Sequence, residues 1–312
     1  MKNYTTINEI NCKYLSEPQK AAVYADNAFN QQLRTIAEKI RPKVNVCPII
    51  LIAGPSGSGK TTTAKMLESI FDNTEMETHT IALDNYFRTI PKEDYVHVKS
   101  GKIDLEAPER LDAELLSEHM KKLAACEPVE LPVYDFTTTT RRNSGVILTR
   151  KPNEPVIFEG IHALNPDVIR IPQNQRCGIY VSVQTHVSFG KITLHPKYLR
   201  LLRRMIRDRQ HRGRSIIQTL AMMREVERGK EQFIKPFRAN ADYEIDTFFS
   251  YEPGVYSKLL LNELEETISS PELTSEHKDD LRLLCSVLSD SEPVSTSVIA
   301  QNALIREFLG NA

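Results

Sequence analysis

Gly54-Pro-Ser-Gly-Ser-Gly-Lys-Thr61 is the stretch on which the fold turns. It satisfies the pattern G-x-x-x-x-G-K-[ST], with an apolar run, Pro48-Ile-Ile-Leu-Ile-Ala53, before it and a helix-compatible segment, Thr62 to Phe71, after it. In that setting, small residues at Ser56, Gly57, Ser58 and Gly59 let successive backbone N–H groups turn inward around phosphate oxygens, and the helix N-terminus adds positive potential. Residues Gly54, Pro55, Ser56, Gly57, Ser58, Gly59, Lys60, Thr61 and Thr62 are therefore expected to hold ATP. Lys60 should reach the β- and γ-phosphates, and the Thr61 hydroxyl should ligate Mg2+.

Four further short apolar runs follow in order: Thr80-Ile-Ala-Leu83, Pro155-Val-Ile-Phe158, Ile179-Tyr-Val-Ser-Val183 and Tyr243-Glu-Ile-Asp246. Longer amphipathic stretches separate them, which predicts an α/β fold with a mainly parallel, buried sheet flanked by helices over residues 46–250. Ahead of it, apolar residues at Ala22, Ala25, Phe29, Leu33 and Ile36 predict a helical extension over 1–45, ended by Pro42. Beyond it, Val255 to Ile268, Lys278 to Leu288 and Val298 to Leu309 read as helices of a C-terminal extension over 251–312.

The 40 Lys and Arg nearly cancel the 41 Asp and Glu, so no whole-chain field points to nucleic acid or a membrane surface. Five scattered cysteines, none in a C-x-x-C pair, argue against a disulfide framework or a zinc site and for a reducing, cytoplasmic setting. No stretch approaches the roughly 18 apolar residues of a membrane span.

A phosphate cradle fixes the nucleotide and leaves the acceptor to other groups. Phosphoryl transfer needs one group to orient and deprotonate the attacking hydroxyl and another to hold the metal, both at the C-terminal edge of the sheet. Asp84 and Glu159 each end an apolar run and meet that requirement. Their spacing alone does not divide the two roles between them.

Several segments in order resemble the uridine kinase family, within the phosphoribulokinase and uridine kinase group: the Gly54–Thr61 loop, Leu83-Asp-Asn-Tyr-Phe87, Leu131-Pro-Val-Tyr-Asp-Phe136, Val156-Ile-Phe-Glu-Gly-Ile-His-Ala-Leu164 and Arg203-Arg-Met-Ile-Arg-Asp-Arg-Gln-His-Arg-Gly213. The resemblance implies a kinase in which Asp84 is the general base and Glu159 helps Thr61 hold Mg2+. It places Tyr86, Tyr134 and Phe136 at the acceptor, a nucleoside, with Asp104 or Glu106 on its ribose hydroxyls. It further implies an oligomer of the kind related kinases form.

Seven arginines lie between Arg200 and Arg214, with Leu201, Leu202, Met205 and Ile206 supplying an apolar side. This predicts an arginine-rich helix, with Asp208 four residues from both Arg204 and Arg212. By resemblance the region from about 185 to 230 is a mobile lid: Arg207 and Arg212 serve catalysis, Arg214 contacts ATP and Arg204 contacts the substrate. Guanidiniums of this kind stabilise charge on a transferring phosphoryl group.

The chain also departs from the family. Thr137-Thr-Thr-Thr140 stands where pyrimidine-specific members carry a base-reading His, and Met222 or Met223 replaces a pocket Gln. Gln184 to Pro196 reads as an insertion that reshapes the acceptor side. These differences keep two other readings open. One is a non-nucleoside acceptor, such as a sugar phosphate held by Arg141 and Arg142, or a vitamin precursor; the other is an ATP-binding sensor or RNA-associated protein without useful turnover.

Overall fold

The computed structural model describes residues 3–94, 104 and 106–310. The five apolar runs become strands of one parallel sheet. They are β2 (Ile49–Ala53), β3 (His79–Ala82), β6 (Val156–Glu159), β7 (Arg176–Ser182) and β10 (Tyr243–Asp246), in the spatial order β10-β7-β2-β6-β3. Every residue of β2 is buried, because neighbours pair with it on both sides and helices cover both faces. Such a strand carries no alternation of apolar and polar residues. All strand C-termini open on one edge, where Ala53 leads into the phosphate loop, Ala82 into the turn bearing Asp84, and Glu159 closes β6.

Helix α1 (Ile7–Ser16) starts at a capping box in which the Thr6 hydroxyl accepts from the Glu9 backbone and the Glu9 carboxylate accepts from the Thr6 backbone. It leads into α2 (Pro18–Ile40), while α3 (Lys60–Asp72) follows the phosphate loop and α4 (Ala113–Ala124) precedes a two-stranded hairpin. The hairpin, β4 (Val129–Asp135) with β5 (Thr140–Leu148), lies outside the main sheet. Then come α5 (Pro196–Arg212) and α6 (Ile216–Gly229), followed by α7 (Glu252–Ile268), α8 (Ser275–Ser289) and the short α9 (Arg306–Leu309).

Two expectations change. Gln184 to Pro196 forms β8 (His186–Phe189) and β9 (Ile192–Leu194), which build a three-stranded sheet with β1 (Tyr4–Thr6). Strand β8 runs parallel to β1 and antiparallel to β9, so these residues carry the N-terminus instead of shaping an acceptor pocket. Nor is Val298 to Leu309 one helix: a turn at Thr296–Val298 and an irregular stretch precede α9. Arg306 explains the break, since its guanidinium donates to the carbonyls of Thr296 and Ile299 and folds that stretch back on itself.

Both helical ends share a core with the sheet. One buried cluster joins Ile7 and Phe29, Ile52 and Leu67, and Tyr256, Leu284 and Phe308. A second cluster, on the opposite face, joins Leu51 and Phe158 to Leu116 and Met120 of α4.

Candidate active site

The phosphate loop takes its shape from close approaches that only glycine permits. A Cβ on Gly54 would stand 1.9 Å from the Val181 carbonyl oxygen. Gly59 has φ +84° and starts α3 from the left-handed region, where a side chain would be strained and would strike Leu304. Lys60 then begins α3, and its charge opposes the burial that raises the pKa of three carboxylates, Asp84, Glu106 and Glu159. Thus one ammonium faces three acids from three separate parts of the chain.

Asp84 lies in the single 3-10 turn Leu83–Tyr86 and is open to the cleft, yet the surrounding protein strips enough water from it to raise its pKa, against the pull of Lys60. Glu159 is 7% exposed and accepts from the Thr61 hydroxyl at 2.9 Å. Its pKa is raised as well, by burial first, with Asp84 and Glu307 adding repulsion. Glu106 follows the same logic, with Lys60 and Arg204 opposing its burial. A hydroxyl and two desolvated carboxylates at the head of the cradle suit Mg2+, a hard cation that keeps water and phosphate among its ligands. Among the described residues no three His, Cys, Asp or Glu side chains form a ready-made metal cage. Such a cage is not what a nucleotide-borne Mg2+ requires.

The acidic pair Asp104 and Glu106 divides. Glu106 reaches the Lys60 cluster, lies against Gly229 at the end of α6, and has its backbone carbonyl tied to His162 Nε2 at 2.9 Å. Asp104 instead pairs with Arg228 at 2.8 Å and accepts from the Glu106 backbone. It holds the segment to α6 from the rim.

Phe87, Tyr134 and Phe136 meet edge to face, with Tyr134 and Phe136 ring centres 5.1 Å apart. The Asn85 side chain accepts from the Tyr134 backbone and fixes the hairpin to the turn that bears Asp84. Phe136 is 64% exposed and offers a ring face, whereas Tyr134 is mostly covered and its hydroxyl accepts from Arg110 at 3.4 Å. Tyr86 does not belong to this surface. It is fully buried and its hydroxyl meets His119 Nδ1 at 3.0 Å, so the expectation that it contacts substrate is corrected. The reason is local: in a 3-10 turn three residues complete one revolution, and Tyr86 points into the core beneath α4.

The arginine helix divides by depth. Arg200 Nη1 donates to the Ser56 carbonyl at 3.0 Å, Arg203 Nη1 to the Gly57 carbonyl at 3.1 Å, and Arg204 Nη1 to the Ser56 hydroxyl. All three are almost wholly buried, so α5 is bolted to the phosphate loop along its inner face. Arg203 is also paired with Glu252 of α7, both with no exposed surface. Burial and the neighbouring Arg207 and Arg212 lower the Arg204 pKa to about 10. Farther along the helix, Asp208 gathers Arg212 at 3.2 Å, Arg207 at 3.3 Å, Arg214 at 3.6 Å and Arg204 at 3.9 Å. Gly213, at φ +60°, caps the helix and turns Arg214 back toward the same carboxylate. Arg207, Arg212 and Arg214 keep part of their surface free, between 16% and 45% of each side chain.

Sequence reasoning missed Arg110, the partner of Tyr134, and Glu307, whose carboxylate accepts from the Thr62 hydroxyl at 2.5 Å. Neither lies in a recognisable pattern, and Glu307 comes from a segment 245 residues away in sequence. Thr137 to Thr140 form the hairpin tip, where the Asp135 carboxylate accepts from the backbones of Thr137 and Thr138. Arg141 is engaged by Asp112 at 2.9 Å and by the Tyr86 carbonyl. A separate cavity of about 460 Å3, lined by Lys43, Cys47, Arg176, Cys177 and Asp242 among others, opens at the opposite edge of the sheet, remote from these groups.

The model of the Phosphoribulokinase / Uridine kinase family matches residues 49–250. Uridine kinases of Yersinia enterocolitica (serotype O:8 / biotype 1B) and of Yersinia pestis (strain Pestoides F) are each 33% identical to the chain over 208 residues, covering 64% of this chain and 87% of theirs. Among solved structures, a protein assigned as a fructose transport system kinase, from Silicibacter sp. TM1040, superposes with a TM-score of 0.50 at 15% identity, over 68% of this chain and 98% of the other. That last likeness concerns the fold alone.

Proposed function

Since the chain belongs to the phosphoribulokinase / uridine kinase family, and is therefore a P-loop kinase that transfers phosphate to a hydroxyl, we propose that it is a nucleoside kinase acting on the 5′-hydroxyl of a uridine-type substrate with ATP and Mg2+. The observation that carries this reading is the meeting of Lys60, Asp84 and Glu159 at the mouth of the phosphate loop, with the Phe87, Tyr134 and Phe136 rings fixed beside Asp84. A planar base stacks on exposed aromatic faces such as that of Phe136. An acceptor that already carries phosphate is less well served, because Arg141 is spent on Asp112.

In the proposed reaction the loop amides and Lys60 hold the ATP phosphates. Thr61 and Glu159 would hold Mg2+, which when bound would supply charge neutralisation for the transferring phosphate. Asp84 accepts the proton of the attacking hydroxyl, and its raised pKa brings its basicity closer to that task than an ordinary aspartate. Glu106 accepts from the ribose diol. Arg207, Arg212 and Arg214, gathered by Asp208, face the transferring phosphoryl group with part of their charge unsatisfied.

The test is ATP consumption with a panel of nucleosides, sugars and sugar phosphates, run beside Asp84→Asn. Turnover of uridine or cytidine that falls by roughly 10²- to 10⁴-fold in the variant is expected. Turnover confined to a sugar or sugar phosphate would discard the nucleoside. Wild-type activity in Asp84→Asn would discard the assigned base.

A further inference from the structure

The family match ends at residue 250, but the cradle does not. Residues Ala303 to Gly310 return from the far end of the chain and lie along the start of α3. Leu304 packs on Gly59, its methyl carbons 2.7 and 2.9 Å from where a Cβ on that glycine would stand. Phe308 presents its ring to the Arg203 guanidinium at 5.1 Å, and Gly310 lies beside His211 of α5. Leu304, Ile305, Phe308 and Leu309 are all essentially buried. Pulling four such side chains into water is too costly for routine opening, so the segment is a fixed wall and not a flap.

One acid projects from that wall toward the loop. Glu307 accepts from the Thr62 hydroxyl at 2.5 Å, which brings its carboxylate to the first turn of α3. Thr62 follows the Mg2+-ligating Thr61 at the helix N-terminus, where donors are wanted by the nucleotide's phosphates. A hydroxyl has a single proton to donate, and here it is directed to a carboxylate.

We propose that Glu307 is a positioning residue of the nucleotide site: it holds the Thr62 hydroxyl away from the nucleotide and, by its charge, keeps ATP affinity below what the loop alone would give. The inference rests on the kinase reading above and deepens it. Removing the charge leaves at most a weaker neutral acceptor for the Thr62 proton, which a phosphate oxygen outcompetes, and relieves repulsion with a polyanion.

The experiment is calorimetric binding of ATP with Mg2+ to the full chain, for the wild type, Glu307→Gln and Glu307→Asp, at low and high salt, with KM for ATP measured in parallel. Glu307→Gln is expected to bind ATP roughly three- to tenfold more tightly than the wild type, with the gap narrowing as salt rises. KM for ATP should fall with it by more than kcat changes, and Glu307→Asp should remain near the wild type. Equal or weaker binding by Glu307→Gln, or a gain that ignores salt, would overturn the inference while the kinase reading stood. Should Glu307→Gln fold poorly, a salt-dependent difference between Glu307→Asp and Glu307→Ala takes its place, and its absence counts against the proposal. A wild-type protein that binds no ATP would remove both.

Discussion

Asp84 sits in two environments at once, wetted from the cleft and crowded by protein. Its pKa is raised chiefly by desolvation and restrained by Lys60, which places the acid limb of the rate profile above the ordinary aspartate range near 3.9. Rates should rise with pH as Asp84 loses its proton. A limb at or below pH 4 in a pH–kcat/KM profile would show that cleft water, not protein, sets its ionisation. The same shift has a thermodynamic face. A carboxylate whose folded pKa is raised costs stability at pH above that value, and the cost disappears as pH falls through it. Asp84→Asn should accordingly raise the melting temperature of the ligand-free protein at pH 7 while lowering turnover by the roughly 10²- to 10⁴-fold expected for loss of the base. At this scale the sequence revealed Lys60, Thr61, Asp84 and Glu159, because strand ends and a glycine-rich loop are local signals. Tyr86 misled because a turn of three residues per revolution decides its direction, and no spacing in the sequence records that.

Among the elements, α5 shows how a helix can be legible in a pattern while the partners of its charges are not. Its six arginines look like one charged face, yet Arg200, Arg203 and Arg204 are turned inward to carbonyl and hydroxyl oxygens of the phosphate loop. Buried arginines need partners, and theirs come from α6, α7 and the loop itself: Glu227, Glu252 and the backbone of Ser56 and Gly57. Glu252→Ala would leave Arg203 charged and uncompensated with no exposed surface. A loss of about 3–5 kcal/mol is expected in urea unfolding. A loss below about 1 kcal/mol would mean that water enters to replace the carboxylate, the case of an exposed pair. Strands β2, β3, β6 and β7 were legible for the opposite reason, since continuous apolar runs need no partner to be recognised, while β10, with Glu244 and Asp246, gave a weaker signal. The β4–β5 hairpin, long but largely polar, and the short β8–β9 pair, whose third strand β1 lies far away in sequence, were not.

Across the whole molecule, the terminal helices and the sheet are welded through one core. Tyr251 donates to Asp26 at 2.8 Å, and Tyr14 meets Ser250 at 3.0 Å, so polar contacts repeat the apolar ones. Thermal unfolding is expected to be one transition, alike by fluorescence and by far-UV circular dichroism, and a chain shortened to residues 46–250 is expected to be insoluble or molten. Two separated transitions would show that the ends fold as units of their own.

Strand β1 and helix α1 have a consequence in time. Asn11 bonds to backbone atoms 279 and 281 residues later, and Asn3 to Asp246, 243 residues on. At roughly 5–20 residues per second of synthesis, α1 waits many seconds for these partners to be made. Until then the apolar face of α1 has only chaperones or other nascent chains to meet, so this segment stays vulnerable until the stretch around Asp290 and Glu292 has been made and can close on it.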